Sequence, residues 1–141
     1  RDRMDLNGKE KLKAIFKASL NRPVQDEIFT VAPNLRSNSK LLLSLLKETI
    51  EDAAPNYILP IIRQGIADGS IETDYPKELS ELIILVGNIW TNPMIFDSSE
   101  EEIYRKFRVY GQMLKGLGVD IVDSEMSERA SRLAAIYQQN K

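Results

Sequence analysis

From Ser39 to Asp68 apolar side chains return every three or four residues, and two prolines, Pro55 and Pro60, stand inside the run. Leu42, Leu46, Ile50, Ala53 and Tyr57 make one stripe, which Ile58, Ile61, Ile62 and Ile66 continue. That period is the period of an amphipathic helix and is out of step with the two-residue repeat of a strand. A proline inside a helix has no N–H to donate, and its ring presses on the preceding turn. The run is therefore either one kinked helix or two helices meeting near Ala54. In both cases the fold is built on a long helical stretch that is not a straight α-helix.

The same period governs the rest of the chain, and strand-like alternation is absent. A first helix is expected over Gly8–Leu20, with Leu12, Ile15, Phe16 and Leu20 on one face and lysines on the other. Arg22-Pro23 stops it. A short second helix, Pro23–Val31, has proline in its first turn and acids after it, and "APNLRSNS" follows as a loop. The fourth helix, Pro76–Thr91, spreads Leu79, Leu82, Ile83, Leu85, Val86, Ile89 and Trp90 over about 160° of its wheel, with Ile84 outside even that arc. Such breadth exceeds what one core contact needs and implies burial on more than one side.

The fifth helix, Ser99–Leu117, opens with a capping serine (Ser98 or Ser99) and the acids Glu100, Glu101 and Glu102, which suit the positive end of the helix dipole. Ile103, Phe107, Tyr110, Met113, Leu114 and Leu117 form its broad face, and Tyr104 extends it. Gly111 inside this helix marks either close approach by another helix or a tolerated cost of about 1 kcal/mol relative to alanine. A sixth helix, Ser124–Asn140, carries a weaker pattern of Met126, Ala130, Leu133, Ala134 and Tyr137 and is expected on the outside. The expected fold class is all-α, a single six-helix bundle over residues 1–141 with one long proline-kinked helix.

Between the third and fourth patterns lies "GIADGSIETDYP", Gly65 to Pro76. Gly69 is suited to the left-handed residue that ends a helix. Ile71 is placed to fold back as an apolar clip. Asp74 or Tyr75 precedes the next helix, and Pro76 fits its first position.

Composition narrows the chemistry. With 141 residues, 43% hydrophobic and 28% charged, the chain is long enough and apolar enough for a real core. Nineteen basic against 21 acidic residues give a net charge of −2, the wrong balance for gripping nucleic acid unaided. Cysteine and histidine are both absent, which excludes disulfides, Cys/His zinc sites and Ser-His-Asp or Cys-His catalysis, and suits a cytoplasmic protein. The densest apolar run, "LIILVGNIW", is far short of the roughly 20 residues that span a bilayer, so no membrane partner is expected.

"GQMLKGLG" has the wrong spacing for a phosphate loop, and Asp120, Asp123 and Glu125 lack calcium-loop spacing. "RKFR" (Arg105 to Arg108) is a surface basic turn. No catalytic residue, metal or cofactor is assigned, and an enzyme is the least supported reading.

What stands out is a group of aromatic and methionine residues near the proline-bearing helix. A bent helix does not pack flush, so space opens beside it. A pocket for an apolar or amphipathic ligand would be lined by Tyr57, Ile61, Trp90, Met94, Phe96 and Tyr110, with Asn56 or Asn88 meeting polar groups. For each of these residues taken singly, a plain hydrophobic core is the better explanation.

The segment "APNYILPIIRQGIADGSIETDYPKELSELIILVGNIW", residues 54–90, resembles the carboxy-terminal regulatory domain of the TetR family of bacterial transcription regulators. Ile62, Gly65, Ile66, Gly69, Ile71, Asp74 and Pro76 stand where that family has its helix-ending "I-x-x-G-I-x-x-G-x-I/F" element and the following helix start. "SSEEEIYRKFRVYGQMLKGLGVDI" is similar to the next family helix, and "GKEKLKAIFKASL" to the first helix of the same domain.

The resemblance implies a homodimer, with the fourth and fifth helices pairing across a two-fold axis through Leu82, Leu85, Ile89, Tyr104, Phe107, Gly111, Met113 and Leu114. It also implies a small apolar effector among the middle helices, and operator DNA read by an amino-terminal helix-turn-helix. That segment would precede Arg1, so the chain is expected to be a fragment. Pro60 and the helix after Ser124 depart from the family pattern. A different class of reading is a stand-alone helical adaptor that binds a partner helix in a groove. Sizing the pure chain separates the two.

By itself the chain is expected not to bind DNA selectively, since it lacks both net positive charge and a recognition-helix pattern. A fluorescence-anisotropy titration in ordinary salt tests this. Nanomolar, sequence-selective binding to any duplex would contradict it.

Overall fold

The computed structural model describes residues 6–20, 38–93 and 95–139. Within them the chain is all-helical, with no strand, and forms five continuous helices. The expected helix Pro23–Val31 and its loop lie outside the described residues. We label the elements α1 (Gly8–Leu20), α2 (Ser39–Glu48), α3 (Leu59–Asp68), α4 (Pro76–Leu85), α5 (Glu100–Gly116) and α6 (Ser124–Gln139). Helices α2 and α3 are the two ends of one unbroken rod.

The rod stays continuous across its prolines by widening. Between α2 and α3, Thr49–Ile58 takes the i→i+5 spacing of a π-helix, and the Leu59 N–H donates to the Ala54 carbonyl five residues back. The first wide residue, Thr49, also sends its hydroxyl to the Leu45 carbonyl at 2.8 Å, a bond that competes with the regular ladder. Pro55 and Pro60 remove donors on either side of this point, and the wider turn relieves the ring against the carbonyl before it. Of the two expected arrangements, one rod and not two meeting helices is found. Ala54 is fully buried inside it.

One core cluster joins the helices: Leu12 of α1, Ile61 and Ile62 of α3, Leu79 and Ile83 of α4, Ile103, Phe107, Tyr110 and Leu114 of α5, and Ala130 and Ala134 of α6. The broad apolar face of α4 packs on the wide segment Thr49–Ile58 and on α3, and that of α5 lies along α6. Much of the breadth seen in the sequence is thus covered within the chain.

Helix α6 is not a peripheral addition. It buries Met126, Ser127, Ala130, Ser131, Leu133, Ala134 and Tyr137. Its alanines and serines give little hydrophobic contrast in sequence, yet their small size lets the two backbones approach closely. Gly111 is met by Val122, in the segment before α6 and not in a helix: a β-carbon there would lie 3.1 Å from the Val122 Cβ.

Local chemistry sets the ends. Asn38 caps α2 through Leu41 N–H at 3.0 Å. Ser99 and Glu102 form a reciprocal capping box at the start of α5, each bond 3.1 Å, and the Ser99 hydrogen bonds hold the Glu102 carboxyl below its ordinary range. Gly69 takes the left-handed conformation at φ 82° and ends α3. Ile71 folds back with its N–H on the Gly65 carbonyl at 3.0 Å and its side chain against Gly65. Tyr75 stands at the position before α4 without a side-chain capping bond, and Pro76 opens the helix.

The same stretch holds α1. The Gly8 N–H donates to Asp68 Oδ2 at 2.8 Å and the Lys9 N–H to Ser70 Oγ at 3.1 Å, so a helix start is capped by residues about sixty positions away. Ser70 in turn donates its hydroxyl to Asp68 Oδ1 at 2.6 Å, which is the main cause holding that carboxyl below its ordinary range. Gln64 donates to the Leu6 carbonyl at 3.3 Å and accepts from Lys11 Nζ at 2.7 Å. At this crossing the backbones of Gly8 and Gly65 touch. A β-carbon on Gly8 would run into the Gly65 backbone and come within 2.8 Å of the Ile61 carbonyl.

Gly8→Ala is accordingly expected to force α1 off α3 and lower stability by about 1–3 kcal/mol. Gly116→Ala, which meets nothing within 4 Å, should be neutral or slightly stabilising. Urea denaturation midpoints distinguish them, and an unchanged midpoint for Gly8→Ala would refute the close crossing.

Candidate functional site

A buried tyrosine hydroxyl must find an acceptor. Tyr110, 2% exposed in the middle of α5, donates to the Ile83 carbonyl of α4 at 2.5 Å. Its ring lies edge-on to Phe107, with centroids 6.0 Å apart. Across from it, two residues past the end of α4, stands Gly87, where any β-carbon would lie 2.7 Å from the Tyr110 oxygen. A carbonyl taken by a side chain no longer fits the regular ladder. Around Gly87, Val86–Trp90 widens to π-helical spacing, with the Thr91 N–H reaching the Val86 carbonyl at 3.3 Å. The Thr91 hydroxyl adds a bond to the Gly87 carbonyl at 2.7 Å.

That widened turn delivers Trp90 to the surface beside Lys106 of α5. The Lys106 ammonium donates to the Trp90 carbonyl at 3.0 Å, a cation on the negative end of the helix. It sits 5.2 Å from the Trp90 ring centroid and 5.6 Å from that of Phe96. A further bond, 3.2 Å, goes to Ser98 Oγ, and the Ser98 hydroxyl donates to the Phe96 carbonyl at 2.9 Å. Partial burial pulls the Lys106 ammonium below its ordinary range, and the Glu102 carboxylate opposes that shift. Gln138 of α6 fixes the loop from the other side, donating to the Ser98 carbonyl at 2.7 Å and to Asp97 Oδ1 at 2.8 Å.

The expected ligand residues fall into separate places. Trp90 and Phe96 come together, both partly exposed, joined by Lys106. Ile61 and Tyr110 belong to the core. Tyr57 and Asn56 lie exposed on the wide segment, and Asn56 donates to Asp52 at 2.7 Å. Asn88 is exposed, and Met94 lies outside the described residues.

Of the residues expected at a self-interface, Ile89, Phe107 and Leu114 are buried within the chain. Leu85, Tyr104, Gly111 and Met113 are half-buried, and Leu82 is exposed. Val109, on the same side of α5 as Lys106 and Met113, is 55% exposed.

Two clefts lie elsewhere. One of about 780 Å³ runs between the Gly65–Pro76 hinge and the end of α5, lined by Ile66, Ile71, Glu72, Asp74 and Leu117 among others. Another of about 470 Å³ separates the start of α5 from the end of α6. None of the expected ligand residues that are described lines either. Among the described residues no group of three or more acidic side chains is placed to hold a metal, and no helix is long and apolar enough to cross a membrane.

Lys106 was not singled out from sequence, where it belongs to a basic turn. The clue was present: it follows Ile103 by three residues and precedes Tyr110 by four, so it stands on the apolar side of α5. No protein-family description, curated protein or solved structure matches the chain.

Tyr110 gives this seam a pH dependence. Burial pushes its hydroxyl well above the ordinary tyrosine range, so the neutral form is favoured in the fold. The raised folded value means that this contribution is complete below the unfolded pKa of about 10 and is lost as pH rises beyond it. Alkaline unfolding followed by circular dichroism should show that loss. Tyr110→Phe should cost about 1–2 kcal/mol at neutral pH and flatten the alkaline limb. A variant with an unchanged limb would assign it to other groups.

Proposed function

We propose that the chain is the effector-binding and dimerisation domain of a TetR-like bacterial transcription regulator, a cytoplasmic six-helix domain. In this reading a preceding helix-turn-helix reads operator DNA as part of a homodimer. The observation that carries the proposal is the docking of α1. The stretch that resembles the family's helix-ending element supplies Asp68 and Ser70, which cap the first turn of α1 from outside it. In such a regulator α1 is the helix nearest the DNA-reading head. A hinge bonded to its first two amides transmits movement of α3 to that head. An effector that favours one position of α3 then shifts the population between two DNA affinities.

The reading assigns the self-interface to the sides of α4 and α5 that the chain leaves uncovered. Leu82, Leu85, Tyr104 and Met113 supply contact there, and Val109 adds to it. Ile89, Phe107, Gly111 and Leu114 support the surface from within. A stable two-fold contact of this kind buries at least roughly 1,200 Å² in total. The effector is a small apolar or amphipathic molecule. Trp90 and Phe96 supply flat apolar surface for it, and Tyr57 and Asn56 stand at the wide segment of the rod.

Sedimentation equilibrium at micromolar concentration should give a dimer, and Leu85→Glu or Met113→Glu should give monomer or aggregate. A wild-type monomer would overturn the proposal in favour of an adaptor that takes a partner helix. Trp90 is the only tryptophan, so a panel of hydrophobic small molecules is expected to include one that changes its emission and raises the melting temperature.

A further inference from the structure

Helix α1 is tied to two different bodies. Its first turn hangs on α3 and the hinge through Asp68 and Ser70. Farther along, Lys13 Nζ lies 3.3 Å from Asp123 Oδ2, and Lys17 Nζ lies 3.0 Å from Glu125 Oε2, both acids standing at the start of α6. Apolar anchorage between these points is uneven. Leu12 is fully buried, whereas Ile15 and Phe16 are only partly covered.

Asp123 is held in place before any lysine arrives. Asp123 caps α6, its Oδ1 accepting the Met126 N–H at 2.9 Å and its carbonyl accepting the Ser127 N–H at 3.2 Å. Both carboxylates also sit at the positive end of that helix dipole. Lys13 and Lys17 are four residues apart on one face of α1, which matches two acids on one helix start. The opposite end of α1 is a backbone crossing of two glycines, Gly8 and Gly65, held by hydrogen bonds to the α3 and hinge side chains Gln64, Asp68 and Ser70.

We propose that α6 is an electrostatic brake on α1. The two ion pairs set the angle of α1 about the Gly8–Gly65 contact, and screening or competing ions release it. The pairs lie at the surface, where each is weak and salt-sensitive. The brake is therefore soft enough to be overcome by modest changes in ionic conditions, while the Asp68–Ser70 cap keeps the pivot end attached. The device belongs to this chain's own helices and holds whether or not α1 carries a DNA-reading head.

Amide hydrogen exchange of the full chain tests it, comparing low salt with about 1 M sodium chloride. Lys13→Gln with Lys17→Gln should accelerate exchange in α1 beyond its first turn by roughly threefold or more, leaving α3, α4 and α5 unchanged. High salt should accelerate the wild type similarly and the variant hardly at all. Lys13→Arg with Lys17→Arg should keep exchange slow. The proposal is overturned if the glutamine pair leaves α1 exchange unchanged, if all helices accelerate together, or if the arginine pair behaves like the glutamine pair.

Discussion

The hydroxyl of Tyr110 is the point from which much of this structure follows. A phenol in an apolar core costs several kcal/mol if it donates to nothing, and the acceptor within reach is the backbone carbonyl of Ile83. Satisfying it ties α5 to α4, requires glycine at position 87, and is followed by the widened turn Val86–Trp90. The widened turn in turn places the Trp90 carbonyl over Lys106 and exposes the indole. The loop to Ser99 is then fastened by Lys106 from α5 and by Gln138 from α6. One buried polar group thus organises the seam between two helices and the aromatic surface at its end.

A second region works by backbone contact. Where α1 crosses α3, glycines remove the side chains and backbone amides meet side-chain oxygens directly. The stretch that ends α3 therefore has two tasks. It stops one helix with a left-handed glycine, and it caps another with Asp68 and Ser70. This double role accounts for its composition, since a plain hinge needs neither the aspartate nor the serine. It also gives the regulator proposal its physical content, because a helix held by its first amides follows the element that holds them.

The local grammar of the fold was legible from sequence. Helical periods, the capping box at Ser99 and Glu102, the left-handed Gly69 and the opening Pro76 all depend on residues within one or two turns of each other. Even the unusual rod was foreshadowed by Pro55 and Pro60, although its resolution by widening was not, because that choice also involves the Thr49 hydroxyl and the packing of α4 on the wide segment. The candidate site was half legible. Trp90 and Phe96 both flank the Lys106 ammonium, whereas Ile61 and Tyr110 lie in the core, since a stripe of aromatics does not say which members turn inward.

The sequence by itself determined that this chain is helical, where most of its helices stop, and which chemistry is closed to it for want of cysteine and histidine. Those properties are set by neighbours in the chain or by composition. Only the tertiary structure decided that α6 covers α5, that Lys106 joins two rings, and that Asp68 caps α1. Each of these joins residues far apart in sequence, sixty positions in the case of Gly8 and Asp68. Their partners are selected by how whole helices pack, and no local pattern carries that information.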